Sequence, residues 1–159
     1  MEMSKDRRET PMYDLEDARR LAAADNHLAV FTVAEGPGKV HASIVSAGVM
    51  DDPVAGTPGV AAVVAGGSRK LGLLRTVGRA TVVFKSGWDW VSVSGPVRLV
   101  GPDDGTDLGL GVPETIRLVF RAAGGTHEDW DEFDRVMADE RRCAVFIRAE
   151  RITSNAGSA

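Results

Sequence analysis

Short apolar runs, cut every few residues by glycine-rich turns, constrain this chain more than any other feature. Residues 27–34 (HLAVFTVA) are rich in branched and aromatic side chains, Glu35-Gly36-Pro37-Gly38 forms a turn, and residues 39–49 supply a second such run. That pattern predicts a β-hairpin. A polar loop from Asp51 to Gly59 precedes a strand over 60–65, Ser86-Gly87 separates strands over 80–85 and 90–100, and 143–152 reads as the last strand. Gly95-Pro96 inside the fifth run predicts a bulge or an edge position. Strands mostly in hairpin order, with few helices, predict a closed or nearly closed antiparallel barrel.

The intervening segments switch to helical spacing. Met12, Leu15, Ala18 and Ala22 share one face, with Asp14, Glu16 and Asp17 near the positive end. Thr10-Pro11 offers an N-cap and a first-turn proline for that helix, which ends near Asp25-Asn26. Leu71, Leu74 and Val77 predict a short helix over 69–77. Pro113 starts another helix, which Gly124-Gly125 ends; Thr126-His127-Glu128-Asp129 resembles a capping box for a last helix faced by Trp130, Phe133 and Met137. Residues 1–10 are polar and read as a mobile segment, 11–152 as one domain, and 153–159 as a loose tail.

The chain has 159 residues, 43% apolar and 26% charged, with a formal net charge of −4. That suits one domain with a substantial core. The acidic balance argues against a general nucleic-acid binder. Cys143 is the single cysteine, so no intramolecular disulfide and no cysteine-built zinc site can form. It reads as a small buried hydrophobe. No apolar run approaches the ~18 residues of a membrane span, and the N-terminus lacks the apolar core of a signal peptide, so the expectation is a cytoplasmic protein.

One window runs against the acidic balance. From Pro53 through Trp88 there is no Asp or Glu, yet Arg69, Lys70, Arg75, Arg79 and Lys85 all fall there. Gly66-Gly67-Ser68 leaves backbone amides open at a helix start, where the dipole favours an anion. Arg69 and Lys70 add a guanidinium fork and an ammonium beside it. Strand, glycine turn, hydroxyl, two cations and helix together describe a phosphate seat; the same cluster also fits a solvated basic surface.

The run Gly67-Ser68-Arg69-Lys70-Leu71-Gly72-Leu73-Leu74-Arg75-Thr76-Val77-Gly78-Arg79-Ala80 resembles the signature of the pyridoxamine-phosphate-oxidase-like split-barrel family. There a strand ends in Ser-x-Lys, a short basic helix follows, and the next strand begins Arg-Ala. Trp90-Val91-Ser92-Val93-Ser94-Gly95-Pro96-Val97 is similar to that family's next strand, and Gly38-Lys39-Val40-His41-Ala42-Ser43-Ile44-Val45 to the strand lining the flavin. Residues 126–142 resemble the subgroup that depends on the deazaflavin coenzyme F420. The similarity spans roughly residues 12–152. It implies a mainly β fold with some α: a split antiparallel β-barrel of the FMN-binding type with short flanking helices. It further implies an oxidoreductase, a homodimer with cofactor sites at the subunit boundary, a small-molecule substrate, and coenzyme F420 as cofactor, with FMN as the alternative. The phosphate would sit on Ser68, Arg69 and Lys70 with Arg75 nearby. The ring would lie along Ser43, Ile44 and Val45, whose backbone amides face its polar edge, while Arg79 could meet the acidic tail of F420.

Three departures from the family pattern bear on the exact phosphate contacts: Leu73-Leu74 stands where Asn-Leu is frequent in the helix, Val77-Gly78 where Asp-Pro precedes the Arg-Ala strand, and Val40 where the ring-side strand has a proline. His27, His41 and His127 show no metal-ligand spacing, and no nucleophile-elbow motif appears. His41 fits either a cofactor-facing or an ordinary half-exposed strand position. Trp88 and Trp90 fit either packing or stacking on a ring across a dimer interface. A non-enzymatic module that binds a flavin or haem-like ligand is the competing class, since fold alone does not decide function.

Overall fold

The computed structural model describes residues 13–104 and 109–156. In chain order the elements are α1 (Leu15–Ala24), β1 (Leu28–Gly36), β2 (Lys39–Val49), β3 (Gly59–Val64), α2 (Arg69–Val77), β4 (Arg79–Ser86) and β5 (Asp89–Val100). They continue with α3 (Val112–Ala122), α4 (Trp130–Asp139), β6 (Cys143–Arg148) and β7 (Arg151–Ser154). Strands run β4-β1-β2-β3-β6-β5, and a further β4–β5 pairing closes them into an antiparallel barrel, with β7 added on β5. Helices pack around it. None among the described residues is long and apolar enough to cross a membrane.

The barrel closes at a bend in β5. The first half of that strand pairs with β7 (Val91↔Ser154 to Ser94↔Arg151), the second with β6 (Val97↔Ile147 to Val100↔Ala144). Gly95-Pro96 sits between the halves, and a Cβ built on Gly95 would lie 1.8 Å from the Arg148 carbonyl oxygen. No side chain fits there. The predicted last strand over 143–152 is therefore two strands, since the chain must step across this bend. Ala149 donates to the Pro58 carbonyl (2.9 Å) and Glu150 to that of Ser94 (3.1 Å) between them. β7 runs on to Ser154, two residues into the expected tail.

Two helix starts also differ from expectation. Asp14 caps α1, accepting N–H bonds from Glu16 and Asp17, while the Asp17 carboxylate returns a bond to the Asp14 N–H. Thr10-Pro11 and the expected mobile segment 1–10 lie outside the described residues. Asp129, not Thr126, caps α4, because its carboxylate accepts the Asp131 and Glu132 N–H groups at 3.1 Å each, while its own N–H donates to His127 Nδ1 (3.0 Å) in the preceding turn. Helix α2 agrees with the prediction residue for residue.

Alternation along the strands sends Phe31, Val82, Phe84, Val91 and Val93 inward, where Leu21, Leu71 and Leu74 of the helices meet them. A second cluster joins Ile116 and Val119 of α3 and Phe133 of α4 to Ala61, Ala144 and Phe146 of the barrel. Asp52, 6% exposed, receives both arms of Arg98 at 2.6 and 2.7 Å and caps its own loop through the Val54 and Ala55 N–H groups. Burial opposes its ionised form, but Arg98 and the two amides hold its carboxyl below the ordinary value. Burial pushes the Cys143 thiol up to about 12, consistent with an inert core residue.

Gly95→Ala is expected to cost about 3 kcal/mol, the top of the usual overpacking range, in denaturant unfolding. Gly72→Ala is the control: its Cβ meets nothing within 4 Å on α2, so it should be neutral or add up to about 1 kcal/mol. Equal effects of the two changes would refute the close-contact explanation.

Candidate functional site

The end of β3, the start of α2 and the link between α4 and β6 meet at one place for a geometric reason. Antiparallel register sets Val64 opposite Cys143, so the next residues along, Ala65 and Arg142, face each other. Gly66 donates to the Glu140 carbonyl (3.2 Å), and a Cβ there would lie 2.4 Å from the Arg141 carbonyl oxygen. Gly66 thus lets the two backbones touch. Two residues on, Ser68 caps α2 by accepting the Leu71 N–H at 3.2 Å. On the far wall Gly48 of β2 packs against α3, where a Cβ would lie 2.2 Å from the Ala122 carbonyl oxygen. Between these contacts lies a cleft of about 450 Å³, lined by Ile44, Val45 and Ser46, by Ser68, Lys70 and Arg142, and by Phe120 and Met137 among others.

The cations of the acid-free window fare differently in three dimensions. Arg69 pairs with Glu35, Arg75 with Asp104 (2.8 and 3.0 Å), Arg79 with Glu150 (2.7 Å) and Lys85 with Asp25 (3.5 Å). Folding brings a carboxylate from outside the window to each of the four. Among the described residues Lys70 has none. Its ammonium lies 5.7 Å from the centre of the Phe31 ring, and burial, followed by the nearby Arg142 charge, lowers its pKa. The structure therefore brings Ser68 and Lys70 together on the cleft and leaves Arg69 and Arg75 in ion pairs outside its lining. Arg79, expected near an acidic cofactor tail, is held by Glu150.

Of the flavin-side strand, Ile44 and Val45 line the cleft and Ser43 does not. Ser43 stands across from the core residue Phe31, and its hydroxyl oxygen is buried with no hydrogen-bond partner. The Ala47 N–H bonds the His27 carbonyl at 2.8 Å, so alternation turns the Val45 and Ser43 amides toward β1 as well. The Ile44 N–H falls on the opposite edge, where pairing with β3 has stopped at Ala47↔Ala62. One free strand amide thus replaces the three expected.

Arg142 was missed by sequence reasoning. A basic residue just before a strand that pairs antiparallel with the strand feeding Ser68 is the signal that could have found it. None of the three histidines lines the cleft. His127 packs edge-on to Phe133, with ring centres 5.6 Å apart. His27 fills the space beside Gly124. No cluster of three metal-ligating side chains occurs among the described residues. Trp88, 90% exposed, stands at the β4–β5 turn.

A scan of protein-family models finds no match, and a search of curated proteins finds none either. Solved structures do resemble this one. The conserved hypothetical protein Rv2991 from Mycobacterium tuberculosis superposes with a TM-score of 0.65 at 18% identity, over 93% of this chain and 87% of that one. HutZ, the haem storage protein from Vibrio cholerae, gives 0.58 at 9% identity, over 92% and 99%. A NimC/NimA family protein from Clostridium acetobutylicum gives 0.56 at 11% identity, over 90% and 94%. The fold is the split barrel these proteins share.

A half-buried cation facing another cation is a local cost to the unligated fold. Lys70→Met, which keeps the stem, should raise the thermal midpoint of the unligated protein, by about 2–4 °C per kcal/mol relieved. It should also abolish stabilisation by phosphate-bearing ligands. A lowered midpoint would show that Lys70 has a stabilising partner and is not held for a ligand.

Proposed function

We propose that the cleft binds the phosphate-bearing chain of a flavin-type coenzyme, F420 in preference to FMN, and that the protein is an oxidoreductase acting on a small unsaturated organic substrate. The observation that carries this reading is Lys70: the one cation of its window without a carboxylate among the described residues, turned into a cleft beside the Ser68-capped helix start. The remaining walls fit such a coenzyme. Ile44, Val45, Phe120 and Met137 offer an apolar face to a ring system, the Ile44 N–H meets its polar edge, and the volume falls in the range of ~300–1,000 Å³ usual for small-molecule sites. The preference for F420 rests on the resemblance of residues 126–142 to that subgroup.

When bound, F420 supplies a two-electron hydride transfer. The chain's own contribution is to bind and orient. Lys70 and the α2 start hold the phosphate, and the Phe120–Met137 wall keeps water from one side of the ring. No side chain is assigned as proton donor.

A second copy of the chain completes the site in this reading. Strand register puts Val30 beside Ile44 on one side and Val83 on the other, all on the outer barrel face, with Val40 further along β2. Val40 and Ile44 are 65% and 63% exposed, and Ile44 belongs both to this face and to the cleft. A homodimer packed through it would place each cleft at the subunit boundary.

A ligand-binding module without catalysis is the second reading, favoured by the likeness to a haem storage protein. The absence of histidine from the described cleft lining weighs against haem held through an imidazole.

Titration with F420 and with FMN, by fluorescence quenching or calorimetry, tests the cofactor. Tighter binding of F420 is expected, and tight FMN binding with none of F420 would reverse the order. The reaction is tested anaerobically: reduced F420 is mixed with a panel of quinones, enones and tetrapyrroles while reoxidation is followed by absorbance. The wild type should accelerate it and Lys70→Ala should not. Tight binding without acceleration for any acceptor would leave the module reading standing.

A further inference from the structure

Two successive arginines follow α4 and take different partners. Arg141 adopts a left-handed conformation (φ 49°), a region a non-glycine residue occupies only at a cost, and its guanidinium goes outward to Asp103. Arg142 follows, its N–H tied to the Met137 carbonyl at 2.9 Å, and its side chain lines the cleft that Lys70 enters from α2. The Gly66 contacts with Glu140 and Arg141 fix this arrangement through backbone, so Arg142 is aimed by the fold.

Its single carboxylate partner among the described residues is Glu140, two residues back, which accepts from Nε at 2.6 Å. Both side chains are partly exposed, Arg142 at 32% and Glu140 at 45%. The cleft lining therefore holds two cations and no carboxylate, and the carboxylate that reaches one of them comes from a partly exposed side chain outside that lining. A phosphate has enough acceptor oxygens to bridge an ammonium and a guanidinium at once. It would meet Lys70 directly and compete with Glu140 for Arg142.

We propose that Arg142 is the second cation of the anion seat, and that Glu140 is a resident counter-ion which screens Arg142 until a phosphate displaces it. The proposal rests on the reading of the cleft as a coenzyme phosphate site, and it adds a binding residue and a competing acid to that reading. Glu140 thereby sets the affinity without touching the ligand, since exchanging its carboxylate for phosphate oxygens that also reach Lys70 is the step that binding requires.

The test compares Arg142→Gln and Glu140→Gln with wild type in the same F420 and FMN titrations, with circular dichroism and thermal melts to establish that each variant folds. Arg142→Gln should weaken binding about tenfold or more, the size of a lost charge-assisted hydrogen bond. Glu140→Gln should tighten it about two- to fivefold, the size of a partly exposed ion pair. Unchanged binding in Arg142→Gln, or weaker binding in Glu140→Gln, overturns the proposal. Inorganic phosphate, compared with chloride at equal ionic strength in thermal melts, separates it from the cofactor reading. Phosphate stabilisation that depends on Arg142, without uptake of F420 or FMN, keeps the seat and removes the coenzyme. A wild type that takes up neither coenzyme and is not stabilised by phosphate removes both.

Discussion

The close approach of the Arg148 carbonyl to Gly95 is the contact on which the rest of the molecule depends. One strand belongs to both halves of the sheet: β5 pairs with β4 and β7 over its first part and with β6 over its second, bending where a side chain is missing. Once the bend is made, the first half of β5 has room for β7 and the second half is open to β6. That seating of β6 also sets its register with β3, which brings Cys143 opposite Val64. The position of Arg142 beside Ala65 and Gly66 is a consequence of barrel closure, even though none of these residues touches Gly95.

A second set of backbone contacts turns this frame into a cleft. Gly66 lets the end of α4 rest on the β3–α2 turn, and Gly48 lets the end of α3 rest on β2. Each brings a helix terminus nearer than any side chain would permit, and between them Phe120 and Met137 form an apolar wall facing Lys70. β2 joins β3 only from Ala47 onward, so the stretch before it has a strand edge with an unpaired amide at Ile44. Apolar wall, free amide and unbalanced positive charge thus arise from packing demands of the barrel, at a place the topology leaves open.

Much of the fold was legible because its signals are local. Turn glycines at 36, 38 and 87 and two-residue alternation mark the hairpins, and the spacing of Leu71 and Leu74 with Ser68 ahead marks α2. The broken last strand was not legible, since the break at Ala149-Glu150 is imposed by a bend in β5, some fifty residues away along the chain. The acid-free window misled for the same reason. Glu35, Asp104, Glu150 and Asp25 all come from outside it, so a run of cations in sequence becomes four ion pairs and one lysine with no carboxylate among the described residues. Arg142 lay hidden because its charge matters only beside Lys70, more than seventy positions earlier. Ser68 and Lys70 were readable since their role follows from the strand–turn–helix junction itself.

Lys70 then separates what the fold needs from what a ligand would need. Its ammonium lies over the Phe31 ring, 5.7 Å from the centre, a contact that offsets only part of its desolvation, and an apolar side chain in its place would meet no repulsion from Arg142. Burial without a partner disfavours the charged form, and the protein contains four neighbouring examples of how to supply a partner. A cation without a carboxylate among the described residues, beside a second cation whose partner is the partly exposed Glu140, is the feature on which the proposed anion seat rests. The fold is indifferent to which anion that is, for split barrels at 9–18% identity share it. In the proposed reading, selection among coenzymes falls to the wall residues Ile44, Phe120 and Met137 and to the outer face that Ile44 shares with Val40, where size and shape rather than charge would decide what can lie beside the seat.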